Sequence, residues 1–459
     1  MAATVMWFRR DLRVSGNAAI EAGAADGDQM VALFVLDDRL RRPSGANRLA
    51  FMYRALRSLN QRLNGRLVVR AGDPADVVPR VAREAGADRV LCAADFGPYG
   101  RDRDNAVAIR LAQQGQWLDR VASPYAVDPG TVVKADGTPY QVFGPYYRAW
   151  TTHLDPETAP HPEADWIDLP KKAIPRDPVI TATLPEATEA AAHERLDQFL
   201  TDGLANYHRS RDFPDRDGTS RLSPYLKFGL LHPNQILARL HDHQLGGDEC
   251  AQRLRAELAW RDFYADVLWH APDSARRAWQ PAMRTFRADH GPGANELFDA
   301  WAKGRTGFPL IDAGMRQLSA EGWMHNRVRM VTASFLVKDL HLPWERGARH
   351  FLTHLVDGDL ASNNHGWQWV AGSGTDPAPF FRIFNPVAQS RQWDPDGVYV
   401  RRFVPELRGV TGAEVHQPWR LPGGPPPGYP PPVVEHSAER EEALARYRET
   451  SARVVPGPR

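Results

Sequence analysis

The chain has 459 residues, 57 basic and 56 acidic, for a formal net charge of +1. That length predicts two domains, and the near-neutral balance means that a polyanionic partner must be met by a local patch rather than by the overall field. Only two cysteines, Cys92 and Cys250, no C-x-x-C pair, no secretory core and no apolar run near the roughly 18 residues of a membrane span exclude a disulfide framework, and the expectation is a cytoplasmic monomer without membrane association.

Residues 4–122 alternate short apolar runs (TVMWF, MVALFVLD, RLVVRAG, DRVLCAA) with helical patterns such as NRLAFMYRALRSLNQRL. This alternation predicts a Rossmann-like α/β domain with a parallel sheet, over 1–130. A ligand of such a sheet sits at the C-terminal ends of the strands, yet neither G-x-G-x-x-G nor G-x-x-x-x-G-K-[ST] occurs. Residues 131–190 read as an interdomain linker, because 151–190 holds seven prolines and little periodicity. From 191 to 459 the pattern is helical, predicting an all-α domain with helices in AAHERLDQFL, PNQILARLHDH, AQRLRAELAWRDFYADVLWH, NELFDAWAKG, LIDAGMRQLSAEG and NRVRMVTASFLVKDL. The stretch LPGGPPPGYPPP, 421–432, and a short polar helix over 437–448 are expected to be peripheral.

Four stretches in the helical half carry candidate chemistry. ELAWRDFY sets Glu257, Trp260, Arg261 and Tyr264 at i, i+3, i+4 and i+7, one helical face that could stack a flat heterocycle or simply be amphipathic. GWMHNRVRM gathers Trp323, Asn326, Arg327 and Met330 on a face, with Arg329 pointing elsewhere, and polar groups there need partners. DGTSRLSPYLKFG puts Thr219, Ser220 and Ser223 about a helix start, which suits a phosphate or an ordinary N-cap equally. HLVDGDLASNNHGWQWV offers Asp357 and Asp359 without a nucleophile, and His350 and His354 lack the Glu of H-E-x-x-H, so no metal is expected. By elimination the hard chemistry belongs to an organic cofactor. Ten of the fourteen tryptophans lie from Trp260 onward; a lone indole usually fills core, but this density leaves room for stacking or electron transfer.

WFRRDLR, YHRSRDFPDRDGTSRLSPYLKFG, ELAWRDFY, GWMHNRVRMVTASFLVKDL, LVDGDLASNNHGWQWVAGSGTDPAPFFRIFNP and VEH occur in that order. Over about residues 4–436 the chain resembles the cryptochrome/photolyase family, most closely its microbial class I branch acting on cyclobutane pyrimidine dimers. The resemblance implies an antenna domain, an all-helical domain holding FAD, and light-driven electron transfer from reduced FAD to a flipped-out dimer in DNA. A blue-light receptor of the cryptochrome type is the alternative on the same scaffold.

Carried over residue by residue, the resemblance assigns Tyr207, Thr219, Ser220, Arg221, Leu222 and Ser223 to the FAD ribose and phosphates. Trp260 and Arg261 begin the part of their helix that lies between flavin and lesion, and Asn326, Arg329, Asp357, Asp359 and Asn363 surround the isoalloxazine. Arg329 and Asp357 are the expected ion pair, and Asn363 faces flavin N5. Glu257, Trp260, Asn326, Met330 and Trp369 correspond to the lesion pocket, with Glu257, Asn363, Trp260 and Trp369 the catalytic set. Arg211, Arg327 and Gln389 correspond to DNA-backbone contacts. Trp367 and Trp344 match the first two members of an electron-transfer chain, but the third position is Gly291, with Phe286 or Trp279 nearby. DFGPYGRDRD lacks the Asn-Glu pair of folate-binding members. With Arg48, Asp95, Tyr99, Arg101, Asp102 and Lys227 as its contacts, the antenna is expected to be 8-hydroxy-5-deazaflavin rather than methenyltetrahydrofolate.

Overall fold

A computed structural model describes residues 3–25, 29–155, 164–242, 248–376 and 381–453. His243 and residues 377–380, which fall within quoted motifs, lie outside these. Two compact units divide the described chain: unit 1 comprises 1–180, 184–205 and 220–272, and unit 2 comprises 181–183, 206–219 and 273–459.

Unit 1 is built on a parallel sheet of β1 (Ala3–Phe8), β2 (Gln29–Leu36), β3 (Leu67–Ala71), β4 (Ala87–Cys92) and β5 (Trp117–Arg120), in the order β3-β2-β1-β4-β5. Every residue of β1 is buried, as a central strand covered on both faces requires, which is why it reads as an unbroken apolar run. β5 escapes the apolar-run criterion because the sequence WLDR is short, charged and half-exposed at the sheet edge. The stretch expected to be a bare linker contributes both a strand and a helix. β6 (Asp165–Trp166) pairs with β2, and Phe143–Thr151 is helical with Tyr146 and Trp150 buried.

That second element packs on the helix Glu249–His270. The Trp150 indole N–H donates to Asp262 at 3.1 Å, and the rings of Tyr146 and Phe263 lie 5.0 Å apart. Asp262 also accepts from the backbone N–H of Ala126 at 3.0 Å and of Val127 at 3.1 Å. Burial pushes its pKa up to about 6 against the pull of Arg261. The division of contacts thus places this helix with the sheet, although its secondary structure belongs to the all-α pattern.

Unit 2 closes around Trp301, Phe335, Phe351, Trp367 and Tyr399, supplied mainly by the helices Pro292–Ala302, Asn326–Lys338, Trp344–His354, Leu360–Ala371 and Val398–Phe403. Gly347 allows the closest of these approaches, since a Cβ there would stand 2.1 Å from the Trp367 ring. The proline-rich stretch is not peripheral. Tyr429 from within it is buried, and its hydroxyl donates to Asp312 at 2.7 Å beside the Thr306 and Gly307 N–H groups at 2.7 and 3.0 Å. A buried carboxylate needs these donors, and the segment reaches it through turns, with Gly423, Gly424 and Gly428 at positive φ. The last helix runs over His436–Arg453, longer than expected, and is also docked: Arg446 grips Asp289 at 2.8 and 3.1 Å, and His436 meets Asp339 at 2.5 Å.

Candidate functional site

In unit 2, Arg329 Nη2 donates to Asp357 Oδ2 at 2.8 Å and its Nε to the Met324 carbonyl at 2.8 Å. Asp357 is buried, so the pair is a charge-assisted bond in low dielectric rather than a surface contact. The helical face assumed for Trp323 needs correction. Gly322 ends the preceding helix with φ +60°, His325 caps the next, and Trp323 lies in the connector, 6.0 Å from the Arg329 guanidinium. Arg329, which helical spacing aimed away, is thereby the residue of this turn that reaches the acid.

Asp359 is the N-cap of Leu360–Ala371, accepting from the N–H groups of Ala361 and Ser362 at 3.1 and 3.2 Å. This fixes where the helix starts and therefore where Asn363 stands. The Asn363 amide donates to the Ala348 carbonyl at 3.1 Å and to Asn364 Oδ1 at 2.8 Å. With both N–H groups taken, its carbonyl oxygen is the atom left for a ligand donor. Trp367 is buried, and its indole N–H has no acceptor among the described residues. Such an orphan donor costs about 1–3 kcal/mol unless a ligand or water accepts from it.

The other residues of this polar stretch latch the helix. Asn364 donates to the Ala275 carbonyl at 2.6 Å; Gln368 donates to the Ser274 carbonyl at 2.7 Å and accepts from the Trp279 N–H at 2.7 Å. His365, for which sequence offered no role, is buried between the Ala361 carbonyl and the Ser274 hydroxyl, both at 2.9 Å. Burial lowers its pKa to about 4 despite that carbonyl and Asp359, so it is neutral, with Nδ1–H donating to Ala361 and Nε2 accepting from Ser274.

Trp344 is buried at the first position of its helix. Trp301, whose place the sequence did not reveal, lies 6.1 Å from the Trp367 ring and donates to the Thr332 carbonyl at 3.0 Å. Phe286 sits 6.1 Å from Phe381, which stacks on Tyr447 at 4.4 Å, and Gly291 caps the helix Pro292–Ala302 with φ +97°. Trp279 is half-buried.

Toward solvent, Asn326 is exposed, with its amide 3.9 Å from Met330 Sδ, and Met330 and Trp369 pack partly buried against the same core. Arg211 lies 5.3 Å over the ring of buried Tyr207. Arg327 pairs with Asp212 at 2.9 Å, and Gln389 is on the helix Pro386–Trp393. Thr219 is half-buried.

In unit 1, Glu257 is half-buried, and Trp260 is stacked 3.7 Å from Phe143 at 8°, so one indole face is already covered. Phe143 was invisible in a segment read as linker. Arg261 turns from the expected common stripe to the Pro124 carbonyl at 2.7 Å and the Tyr125 ring at 4.6 Å. Ser223 does not cap its helix: the N-cap is Leu222, without a side-chain bond, and Arg221 has φ +52°. Ser223 is instead the first residue of the helix Ser223–Phe228. Ser220 accepts from Arg195 at 2.9 Å through its carbonyl.

At the C-terminal edge of the sheet, Asp104 accepts from Arg9 at 2.5 Å and Arg103 at 2.9 Å, and Arg103 also reaches Asp95 at 3.1 Å. Burial pushes Asp95 toward a higher pKa, but Arg103, Arg10 and Arg9 more than offset it, so the net shift is downward. Tyr99 donates to Asp37, and Arg101 lies 4.0 Å over Trp269. Arg48 and Lys227 are half-buried, whereas Asp102 is exposed. The sequence reading passed over Arg103 and Asp104, although helical spacing from Gly100 through Val107 and Leu111 marks them as the inward face.

A flavin fits the unit 2 group. A flavin ring system carries acceptors that would suit the Trp367 N–H and the Arg329 cation, and in its reduced form an N–H that would suit the Asn363 oxygen. Comparison with known proteins agrees. The family description "DNA photolyase" matches residues 4–164, and "FAD binding domain of DNA photolyase" matches 254–449. The deoxyribodipyrimidine photo-lyase of Streptomyces griseus is 40% identical, covering 97% of this chain and 98% of its own; that of a Synechococcus strain is 37% identical, covering 99% and 98%. Among solved structures, a bacterial class III photolyase from Agrobacterium tumefaciens has TM-score 0.89 at 33% identity, covering 98% of both chains. A Synechocystis cryptochrome has TM-score 0.87 at 27% identity, covering 97% and 99%, and an archaeal photolyase from Sulfolobus tokodaii, described with two FAD molecules, has 0.83 at 27%, covering 97% and 100%. With its full length matched by relatives well above 30% identity, the chain belongs to the DNA photolyase family.

Proposed function

We propose that the chain is a light-driven deoxyribodipyrimidine photo-lyase that splits cyclobutane pyrimidine dimers in DNA. Reduced FAD, when bound, would supply one-electron photochemistry, with the electron returned after both cyclobutane carbon–carbon bonds break, so that the reaction is redox-neutral. Arg329 and Asp357 would hold the isoalloxazine polar edge. The Asn363 oxygen would accept a hydrogen bond from an N–H of the reduced ring without adding a negative charge beside an electron-rich system. Tyr207 and the Thr219–Ser223 run hold the ribose and phosphates. Base flipping, used by enzymes that act on a base within the stack, photolyases among them, delivers the dimer to Glu257, Trp260, Asn326, Met330 and Trp369. Glu257 hydrogen-bonds a base edge, and Trp260, with one face held by Phe143, offers the other surface to a base. Arg211, Arg327 and Gln389 bind phosphates without reading sequence.

The observation that carries this reading is the Arg329–Asp357 pair at 2.8 Å, formed between residues 28 apart in the chain. Family resemblance alone had named that pair. The test is illumination of a dimer-containing single-stranded oligonucleotide with pre-reduced enzyme. Dimers disappear in light and persist in the dark; persistence in light with reduced flavin present overturns the proposal in favour of a receptor function. For the antenna, the missing Asn-Glu pair in DFGPYGRDRD supports 8-hydroxy-5-deazaflavin. Mass spectrometry of the chromophores released on denaturation decides: folate or a second FAD in its place refutes it.

A further inference from the structure

One ring in unit 2 touches two of the side chains assigned to the DNA backbone. Trp393 ends the helix Pro386–Trp393, and the guanidinium carbon of Arg327 lies 4.5 Å from its centroid. Its indole N–H donates to Gln389 Oε1 at 3.1 Å, one turn back along the helix. Arg327 is held from a second direction, with Nη2 donating to Asp212 Oδ1 at 2.9 Å, while Nη1 makes no bond to a described residue. Phe213 packs edge-on against the indole at 5.5 Å and 78°, fixing the ring itself.

These contacts set the chemistry that the two side chains present. A phosphate offers only acceptors. The indole takes the Gln389 oxygen and the amide nitrogen donates to Gln392 Oε1 at 3.4 Å, so one amide N–H is left to point outward. An exposed arginine with one carboxylate partner is ordinarily mobile and contributes little, whereas the Arg327 side chain is only 15% exposed. Stacked on an indole, its planar fork is held before DNA arrives, which reduces the ordering cost on binding. We propose that Trp393 is a positioning residue that presents Arg327 and Gln389 to the DNA backbone as two pre-oriented donors. The proposal rests on the assignment of those two residues to DNA.

The test is a double-mutant cycle on the full chain, reading Kd for a dimer-containing duplex together with repair rate at saturating DNA and flavin absorbance. Trp393→Leu is expected to weaken binding roughly tenfold, and Trp393→Phe, which keeps the stacking face but loses the N–H, by about threefold. Flavin absorbance and the saturated repair rate stay as in the wild type. In an Arg327→Ala, Gln389→Ala background the Trp393→Leu effect shrinks toward none, which a merely structural role would not produce. The proposal is overturned if either Trp393 variant matches the wild type in affinity while Arg327→Ala weakens it, or if the Trp393→Leu loss is undiminished in the double background. If Arg327→Ala and Gln389→Ala leave affinity unchanged, the DNA assignment falls and takes the proposal with it.

Discussion

Two polar regions of the molecule look alike in sequence and differ in what they leave open. Around 354–370 the acids and amides are partly spent on the protein, in the Asp359 cap and the Asn364, His365 and Gln368 latches. The Trp367 N–H has no acceptor among the described residues, and the Asn363 N–H groups are taken by the Ala348 carbonyl and Asn364, leaving its oxygen for a donor. At the sheet edge, Arg9, Asp95, Arg103 and Asp104 chiefly bond one another. A buried polar group is costly wherever it stands. The first region discharges part of that cost with a ligand, whereas the second discharges most of it internally, so perturbing them has different consequences.

The largest expected effect is at the first region. Arg329→Ala removes the cation bonded to buried Asp357, which costs about 3 kcal/mol and releases FAD; the urea midpoint and the flavin-to-protein ratio both fall. Retained stoichiometric flavin would remove the ion pair from the site. Asp104→Ala takes from Arg9 its bonded carboxylate and leaves Arg103 with Asp95, lowering stability by a similar amount, about 3 kcal/mol, but purified folded protein keeps its FAD. Loss of FAD at wild-type stability would reverse the comparison.

The third prediction concerns pH. The folded pKa of His365 is about 4, below its ordinary value of 6.5, so the stability it contributes is fully present above pH 6.5 and is lost as pH falls toward 4. The full difference is about 3 kcal/mol. His365→Asn should show a shallower fall of Tm between pH 6.5 and 4 than the wild type, and an identical slope would refute the neutral latch. A fourth separates electron entry from repair: Trp367→Phe loses most photoreduction of oxidised enzyme under light with an external donor, yet chemically reduced variant repairs dimers normally. The smallest effect on stability belongs to Asp102→Ala, whose exposed side chain is expected to change it by less than about 0.5 kcal/mol in urea unfolding.

How much of this was legible follows from where each residue finds its partner. β1 to β4 could be read because strands covered on both faces are continuous apolar runs. β5 and β6 could not, being four and two residues long. The helix holding Phe143 was hidden by the prolines that follow it, and with it the ring under Trp260. Arg103 and Asp104 were legible from helical spacing but lost to the neighbouring Arg101 and Asp102. Arg329–Asp357 and Asn363 were named only through resemblance, since spacing on one helix cannot reveal a partner 28 residues away. The roles of His365 and Gln368 depend on Ser274, 91 and 94 residues distant, and nothing local signals such a latch.

The central claim is that the open valences of unit 2 hold a reduced flavin whose electron is lent to the dimer and returned. Single-flash repair by pre-reduced enzyme tests it most directly, with dimers repaired and flavin oxidation counted in the same sample. The account predicts repaired dimers with no net oxidation of the flavin. One flavin oxidised for every dimer repaired, or dimers that persist beside reduced flavin, would contradict it.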